Sequence, residues 1–375
     1  MLLHKSVAND TRVRREAGAL AGAGHEVTIV HLPPPDADPE VPGLPAATVP
    51  ATLGRGRRRM PHPVRLGIEA ARLGLRAGAT GPDVVHAHDA AMLLPGMLAA
   101  RKARAKLVYD SHELATGVPY RRGAWPAVVS GVERLGAPRA DAVITVSDGI
   151  ATRLSERYPL RRPPTVVRNL PDLPPPRAAP APDLRLELAI GEAPLVLHQG
   201  AAAPGRGCEV LLAALGLMPD AHLLFLGAEG GYADRLRSTA RGQGLEKRVH
   251  MLPPVSPETL LSYTAQADVG VSLLEASCEN HRLALPNKLF EYLAAGLPVV
   301  VSDLPETGKL VRERGVGWCA DPSDPEAVAT ALRSALAQRG EEGLRERVAR
   351  AAAELSWERE RPRLLSLYED LASDR

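Results

Sequence analysis

The segment Asn280–Asp303 has residue types and spacings suited to binding an anion and a sugar diol. It reads NHRLALPNKLFEYLAAGLPVVVSD, and we predict a loop that leads into a helix starting near Pro286, because proline suits the first turn of a helix. Backbone amides at a helix start, together with the Lys288 ammonium, make an anion site. One turn further on, the Glu291 carboxylate can accept two hydrogen bonds from a cis-diol such as that of ribose.

Several other motifs for chemistry are missing from the sequence. There is no Walker loop, and the GAG of Gly22–Gly24 precedes a strand instead of following one, so it is not a dinucleotide fingerprint. Asp36-Ala37-Asp38 is flanked by prolines, and we interpret it as a loop rather than a metal–diphosphate clamp. No Ser/His/Asp order with a nucleophile elbow is present. We therefore expect a site without a metal ion.

The composition is that of an ordinary soluble protein of about two domains. The chain has 375 residues, of which 45% are hydrophobic and 24% charged. Cys208, Cys278 and Cys319 are odd in number and widely spaced, which argues against disulfides and zinc clusters and for small buried side chains. The sequence has no stretch of 18 apolar residues and starts without a signal-peptide core. We expect a cytoplasmic protein.

The net charge of +2 conceals an asymmetry between the two halves. Residues 1–178 carry 25 Lys and Arg against 16 Asp and Glu, whereas residues 179–375 carry 21 against 28. The densest basic cluster consists of Arg55, Arg57, Arg58 and Arg59, followed later by Arg121 and Arg122. Two interpretations stay open, a solvated loop or contact with a phosphorylated ligand or an anionic membrane face. Nucleic acid is disfavoured because aromatic residues for stacking are nearly absent nearby.

Apolar runs alternate with helical segments in the first half, which predicts a parallel sheet covered on both faces. A helix over Val13–Ala23 should end at Gly24, and Ser147 and Asp148 can cap a helix. The predicted strands are Glu26–Leu32, Asp83–Ala87, Ala105–Tyr109, Ala140–Val146 and Val166–Val167.

Asn169–Asp183 contains six prolines and predicts an extended hinge. The alternation then restarts, so the fold class is α/β, with two doubly wound domains and a ligand-binding cleft between them. The predicted strands of the second half are Leu195–Gln199, Ala221–Leu226, Arg248–Leu252, Asp268–Leu273 and Pro298–Ser302. Its predicted helices are Cys208–Leu217, Tyr232–Gln243 and Lys288–Ala295, with others from Pro325, from Glu341 and around Glu358–Ala372.

Taken in order, these motifs resemble the retaining GT-B glycosyltransferases of glycosyltransferase family 4 over essentially the whole chain. In the second half the resemblance rests on Asn280–Asp303, Gly200–Gly207, Leu224–Gly227 and Ser356–Leu371. In the first half it rests on Asp10–Ala17, Gly24–Val27, Asp83–Asp89, Tyr109–Leu114 and Val166–Asn169. A single motif is moderately specific, whereas their order is highly specific.

The resemblance implies a role for each matching residue. Arg206 and Lys288 would neutralise the donor diphosphate, Glu291 would hold the ribose hydroxyls, and His112 would face the donor sugar. The implied catalytic residues are His112, Arg206 and Lys288. The implied donor-binding residues are Gly200, Arg206, Gly207, Val255, Asn280, Pro286, Asn287, Lys288, Leu289 and Glu291, with the nucleobase framed by backbone around Leu252–Val255. The implied acceptor-binding residues are Asp10, Arg12, His88 and Glu113.

Two points stay open from the sequence. The family usually carries a glutamate eight positions before Glu291, where this chain has Leu283. Either Glu279 or Asn280 substitutes for it from a rearranged loop, or backbone amides hold the donor sugar. Asp110 and Glu113 either position His112, bind acceptor hydroxyls or form structural pairs.

The resemblance implies three segments: an acceptor-binding Rossmann-like domain over residues 1–175, a nucleotide-sugar-binding domain over 176–356, and a helix over 357–375 that crosses back to the first domain. The implied activity is retaining transfer of a sugar from a nucleotide sugar, by default a UDP-sugar, to a hydroxyl. The acceptor would be a small molecule, a lipid-linked molecule or a glycan. The enzyme would be a monomer or a homodimer, and no cofactor is expected. The alternatives are a nucleotide-sugar epimerase or hydrolase of this fold and a non-catalytic nucleotide-sugar-binding protein.

Overall fold

The structure is a computed structural model that describes residues 1–4, 7, 10–31, 44–50, 62–118, 123, 125–173 and 180–373. Some sequence predictions lie outside these residues: the Asp36–Asp38 loop, both arginine clusters and residues 174–179 of the proline-rich hinge. Contacts between residues divide the chain into two units. Unit 1 comprises Met1–Arg168 and Glu360–Arg375, and unit 2 comprises Asn169–Arg359.

Unit 1 contains a parallel sheet with the strand order β3-β2-β1-β4-β5-β6-β7. Its strands are β1 (Leu2–Leu3), β2 (Thr28–His31), β3 (Ala47–Pro50), β4 (Val84–His88), β5 (Lys106–Ser111), β6 (Ala142–Thr145) and β7 (Thr165–Val166). Its first helices are α1 (Thr11–Gly22), α2 (His62–Ala79), α3 (Asp89–Ala103), α4 (Trp125–Gly136) and α5 (Asp148–Arg157), with a 3-10 turn at Ala137–Arg139. The strand order reverses between β1 and β4, which is where ligands bind in doubly wound sheets.

Unit 2 repeats this plan with a parallel sheet in the order β10-β9-β8-β11-β12-β13. Its strands are β8 (Leu195–Gln199), β9 (His222–Leu226), β10 (Val249–Leu252), β11 (Val269–Ser272), β12 (Val299–Ser302) and β13 (Gly317–Ala320). Its helices are α6 (Leu184–Glu187), α7 (Cys208–Gly216), α8 (Gly230–Gly242), α9 (Pro257–Thr264), α10 (Glu279–Leu283), α11 (Asn287–Ala294), α12 (Pro305–Arg314), α13 (Pro325–Gln338) and α14 (Glu342–Glu354). The order reverses between β8 and β11.

The core of unit 2 lies on both faces of its sheet. One face packs against side chains such as Leu211 and Leu332, and the other against Phe290 and Val348. Because both faces are covered, the strands are continuously apolar, as the sequence predicts.

The final helix, α15 (Trp357–Ser373), starts in unit 2 and continues in unit 1. The Trp357 N–H donates to the Pro171 carbonyl at 2.9 Å, and the Glu360 carboxylate accepts from the Arg168 N–H at 2.8 Å. None of the helices within the described residues combines the length and apolar character needed to cross a membrane.

The predicted strands and helix ends are largely confirmed. Ser147 accepts a hydrogen bond from the Ile150 N–H at the start of α5, and Gly24 follows α1 with φ +90°. Strands β1, β3 and β13, which have two, four and four residues, were not predicted from the sequence, because such short segments carry little apolar periodicity.

Tyr292 fixes α11 against the sheet of unit 2. Its ring is fully buried over Gly270, where a Cβ would lie 2.2 Å from the ring. Its hydroxyl oxygen accepts from the Gln199 N–H at 2.8 Å and lies 3.1 Å from the Val271 carbonyl and 3.2 Å from that of Leu197. Strand β11 therefore needs glycine at position 270 for this helix to approach.

We expect Gly270→Ala to lower the free energy of unfolding by about 1–3 kcal/mol, the usual cost of overpacking a filled core. Urea unfolding followed by circular dichroism measures it. The matched control is Gly216→Ala, since a Cβ at Gly216 meets nothing within 4 Å and alanine at this helical position should be neutral or stabilise by up to about 1 kcal/mol. Equal stability of the two variants would contradict this packing argument.

Candidate functional site

Helix α11 carries the polar residues that the sequence singles out. Pro286 is its N-cap residue, with φ −64° and ψ 137°, and the helix runs from Asn287 to Ala294. The predicted start near Pro286 is confirmed. The Leu289 side chain is fully buried in the core and its N–H donates to the Pro286 carbonyl at 3.0 Å.

Lys288 lies beside a buried histidine. Its Nζ is 3.2 Å from His198 Nε2, and His198 is fully buried at the end of β8. Burial and the cations Lys288 and Arg206 lower the pKa of His198 well below its usual value. The neutral ring can therefore accept a hydrogen bond from the ammonium through Nε2. Burial and Arg206 in turn lower the pKa of Lys288 to about 7.

Arg206 belongs to the glycine-rich loop between β8 and α7. Gly200, Gly205 and Gly207 all have positive φ angles, and a Cβ at Gly207 would lie 2.5 Å from the Leu273 carbonyl. Only glycine allows this loop to pass so close to the end of β11. Across the described part of the chain, neither Arg206 nor Lys288 forms a salt bridge. Two cations without a neutralising carboxylate in ion-pair contact form a region suited to an anion.

Glu291 is held by a side chain that the sequence analysis did not single out. Gln199 Nε2 donates to Glu291 Oε2 at 2.5 Å, and Thr264 Oγ1 lies 2.7 Å from Gln199 Oε1. Gln199 is only 3% exposed and Thr264 is fully buried. The amide and carboxylate therefore meet at the carboxyl end of β8, beside the strand-order reversal.

The other predicted donor residues are distributed around α11. Asn287 is exposed in its first turn, Asn280 is half-buried in α10, and Val255 is half-buried and packs against the core of unit 2. Leu283 ends α10, so the segment that would carry the missing glutamate is a short helix.

In unit 1, Asp110 joins Arg12 to His112. The Arg12 guanidinium donates to both Asp110 oxygens, at 3.0 and 2.9 Å, and to the Val167 carbonyl at 2.7 Å. His112 Nε2 lies 3.0 Å from Asp110 Oδ2. Burial alone would raise the pKa of Asp110, but Arg12 and His112 hold it well below its usual value. This contact agrees with a positioning role for Asp110.

His112 also contacts Asp89, which has a left-handed backbone. Asp89 has φ +64°, its Oδ1 accepts from the His112 N–H at 3.3 Å, and its Oδ2 lies 3.6 Å from His112 Nδ1. Burial lowers the pKa of His112, but Asp89 and Asp110 outweigh it and raise this pKa to about 9. His112 is therefore an imidazolium at neutral pH.

His86 and His88 stack at the end of β4, with ring centroids 4.3 Å apart. His88 is fully buried, with Nδ1 3.2 Å from His112 Nε2, and burial together with His86 lowers its pKa well below the usual value. His86 Nδ1 lies 2.8 Å from the hydroxyl of Tyr368 on α15.

The residues predicted for the acceptor differ in accessibility. Asp10 is 6% exposed and caps α1 by accepting from the Val13 N–H at 3.1 Å. Arg12 is 4% exposed and engaged by Asp110, so it is placed to act through that carboxylate. Glu113 is half-buried, and its carbonyl accepts from the Ser111 hydroxyl.

Four buried side chains of unit 1 have the ligand types of a metal site. Ligand atoms of Glu16, His86, His88 and Asp110 all lie within 4.8 Å of one another. The Arg12 guanidinium, however, donates to both Asp110 oxygens and lies 2.9 Å from Glu16 Oε1. The Arg12 charge balances the Asp110 carboxylate, while burial raises the pKa of Glu16 to about 8, so the cluster favours ion pairing with Arg12 over a metal centre.

Two parallel doubly wound units, each with polar side chains where its strand order reverses, give this chain the GT-B fold of its structural neighbours. Residues 10–173 match the family model Glycosyltransferase Family 4, and residues 183–355 match Glycosyl transferases group 1. The chain belongs to glycosyltransferase family 4 and is a glycosyltransferase.

Known relatives agree with this assignment. The sequence is 28% identical over 341 residues to the glycogen synthase of Mycobacterium tuberculosis, covering 85% of this chain and 80% of that protein. Sucrose-phosphate synthase from Thermosynechococcus elongatus superimposes with a TM-score of 0.79 at 21% identity, covering 100% and 99% of the two chains. Anabaena HepE in complex with UDP-glucose superimposes with a TM-score of 0.77 at 17% identity, covering 98% of this chain and 99% of that chain. The predicted GT-B fold is confirmed.

Sequence reasoning missed Asp89, His198, Gln199 and Thr264 as site residues. A polar pair closing the apolar strand LVLHQ was a usable signal for His198 and Gln199. Thr264 gave no signal, because its contact with Gln199 joins residues 65 positions apart.

We expect Asp89→Asn to lower the pKa of His112 by about one unit or more, because an opposite charge at this distance raises a histidine pKa by 1–3 units. Asparagine tolerates a left-handed backbone and keeps an oxygen for the His112 N–H. Titration of the imidazole by NMR measures the shift. Asp148→Asn is the control, since Asp148 pairs with Arg168. An unchanged His112 pKa in Asp89→Asn would show that Asp89 does not stabilise the protonated imidazole.

Proposed function

We propose that this enzyme is a retaining glycosyltransferase that moves a sugar from a nucleotide-sugar donor, by default a UDP-sugar, to an acceptor hydroxyl. The observation that carries the proposal is the pair of cations on unit 2. Lys288 and Arg206 lie at the reversal of strand order, without a salt bridge to any described residue, and Glu291 is one helical turn away. A diphosphate followed by a ribose fits these groups in this order.

The diphosphate is proposed to bind between α11 and the glycine-rich loop. Arg206 and Lys288 would neutralise it, and the backbone of Gly200, Gly207 and Pro286–Leu289 would line it. The lowered pKa of Lys288 shows that its charge is disfavoured in the unliganded site, and a bound dianion would restore that charge.

The ribose and the base of the donor are proposed to bind beside the diphosphate, at the carboxyl end of β8. Glu291 would accept hydrogen bonds from the ribose hydroxyls, and backbone around Leu252–Val255 would frame the base. Glu279 or Asn280, both on α10, or backbone amides would contact the donor sugar in place of the glutamate missing at Leu283.

Transfer requires the anomeric carbon–phosphate oxygen bond to break while negative charge develops on the diphosphate. Fixed cations stabilise that charge without reorganising. We propose front-face attack: the acceptor oxygen bonds to the anomeric carbon on the side the phosphate leaves, and the departing phosphate oxygen takes the acceptor proton. This route retains configuration without a carboxylate nucleophile.

The acceptor is proposed to bind on unit 1. His112 would contact the transferred sugar as an imidazolium held by Asp89 and Asp110. Glu113 would bind the acceptor directly, whereas Arg12 and His88 would act through their contacts with Asp110 and His112.

UDP is proposed as the donor nucleotide because the structurally similar Anabaena HepE was solved with UDP-glucose. The glycogen synthase relative makes a glycan one acceptor class, beside small-molecule and lipid-linked acceptors. We propose a cytoplasmic enzyme, monomeric or homodimeric, that needs no cofactor and binds no nucleic acid. Its basic first half is compatible with contact with an anionic membrane.

We expect Arg206→Ala and Lys288→Ala each to reduce turnover by about 10- to 150-fold, because each removes a charge-assisted contact of about 1.5–3 kcal/mol. Turnover is measured with a radiolabelled donor and a panel of acceptors. Lys247→Ala, which removes an exposed lysine of the same unit, should leave the rate unchanged.

Full turnover in both variants would refute the diphosphate assignment. Sugar release at the transfer rate without acceptor would instead identify a hydrolase or epimerase. Nucleotide binding without turnover on any acceptor would identify a binding protein.

We expect donor affinity to fall as pH rises through about 7, by up to tenfold per pH unit, because Lys288 loses its proton there in the unliganded enzyme. Below that pH Lys288 is already charged and the affinity should be level. Calorimetry with UDP-glucose, in two buffers of different ionisation enthalpy, measures the affinity and the proton uptake.

Lys288→Arg is the matched control for this pH dependence. Arginine keeps its charge at every accessible pH, so the variant should bind donor with a flat profile and no proton uptake. A flat profile in the unmodified enzyme would contradict the assigned role of Lys288.

A further inference from the structure

We propose that Gln199 is a positioning residue that fixes the Glu291 carboxylate for recognition of the nucleotide ribose. The inference rests on the proposed function, because it takes Glu291 as the ribose-binding group. It adds a second residue to that subsite, contributed by strand β8 rather than by α11.

The orientation of the Gln199 amide follows from hydrogen-bond chemistry. An ionised carboxylate only accepts, so the group facing Glu291 Oε2 at 2.5 Å must be the amide nitrogen. The amide oxygen then faces Thr264 Oγ1 at 2.7 Å, and that hydroxyl can donate to it. The same hydroxyl lies 2.7 Å from the Leu260 carbonyl, so its single proton serves one acceptor at a time.

Gln199 also holds the residue next to Glu291. Its backbone N–H donates to the Tyr292 hydroxyl at 2.8 Å, while its side chain reaches Glu291. One residue therefore fixes two consecutive positions of α11, one through its backbone and one through its side chain. At 3% exposure, the Gln199 side chain has little room to adopt another rotamer.

A fixed carboxylate matters for a ligand with two adjacent hydroxyls. A carboxylate offers about four acceptor sites, enough for the Gln199 amide together with a diol. A mobile carboxylate would have to be ordered on binding, which weakens affinity by roughly 3- to 10-fold. This loss should appear only with ligands that carry the hydroxyls.

The test uses calorimetry with whichever of UDP and GDP binds the unmodified enzyme more tightly, and with its 2′,3′-dideoxy counterpart. We expect Gln199→Leu to weaken binding of the ribonucleotide by roughly 3- to 10-fold and to leave the dideoxy nucleotide unchanged. Thr264→Val should act in the same direction with a smaller effect. An equal loss with both nucleotides, or no loss with either, would overturn the inference.

Two further variants separate positioning from folding. Gln266→Leu removes another amide of unit 2, one that bonds to backbone at Pro182 and Ser262, and should change neither affinity. Gln199→Glu keeps the shape but places two carboxylates in contact, so relative to the unmodified enzyme it should lose more ribonucleotide affinity at pH 8 than at pH 6. An equal loss at the two pH values would count against the contact.

Nucleotide binding by the unmodified enzyme distinguishes failure of the proposed donor site from failure of the role assigned to Gln199. If it binds neither UDP nor GDP, or does not prefer the ribonucleotide, the proposed donor site fails and this inference fails with it. If it shows the preference and Gln199→Leu keeps that preference, only the role of Gln199 is overturned.

Discussion

The buried Tyr292 is the constraint on which the proposed donor site depends. Its ring fills the space left by Gly270 in the neighbouring strand, and its hydroxyl oxygen accepts from the N–H of Gln199 at the end of β8. Helix α11 therefore has one position relative to the sheet. Lys288 and Glu291 are on that helix, so the packing of Tyr292 sets where both side chains lie relative to the end of β8.

The two units solve the same problem of buried charge in different ways. Unit 1 compensates the charges internally, because the Arg12 guanidinium and the Asp110 carboxylate are paired and almost fully buried. Unit 2 leaves Lys288 against a neutral histidine, where the protonated state is disfavoured. The first arrangement maintains a fixed geometry around His112, and the second leaves positive charge that an anionic ligand can neutralise.

The sequence predicted the architecture well because the fold follows from apolar periodicity and local capping. LVLHQ and PVVVS indicate buried strands by themselves, and Pro286 indicates a helix start. The candidate site could be proposed from the sequence only as far as local motifs reach, to Lys288, Glu291, Arg206 and His112. The partners Thr264 and Asp89 could not be predicted from spacing, because Thr264 acts through a contact between α9 and β8 and Asp89 through a left-handed backbone.

The discontinuity of unit 1 has a consequence for biosynthesis. Its sheet is encoded within the first 168 residues, yet Tyr368, which contacts His86 in the interior of unit 1, belongs to the part of α15 encoded after all of unit 2. A ribosome therefore delivers every residue of the second unit before the last piece of the first. During translation, unit 1 therefore cannot complete its fold until its final helix has emerged from the exit tunnel.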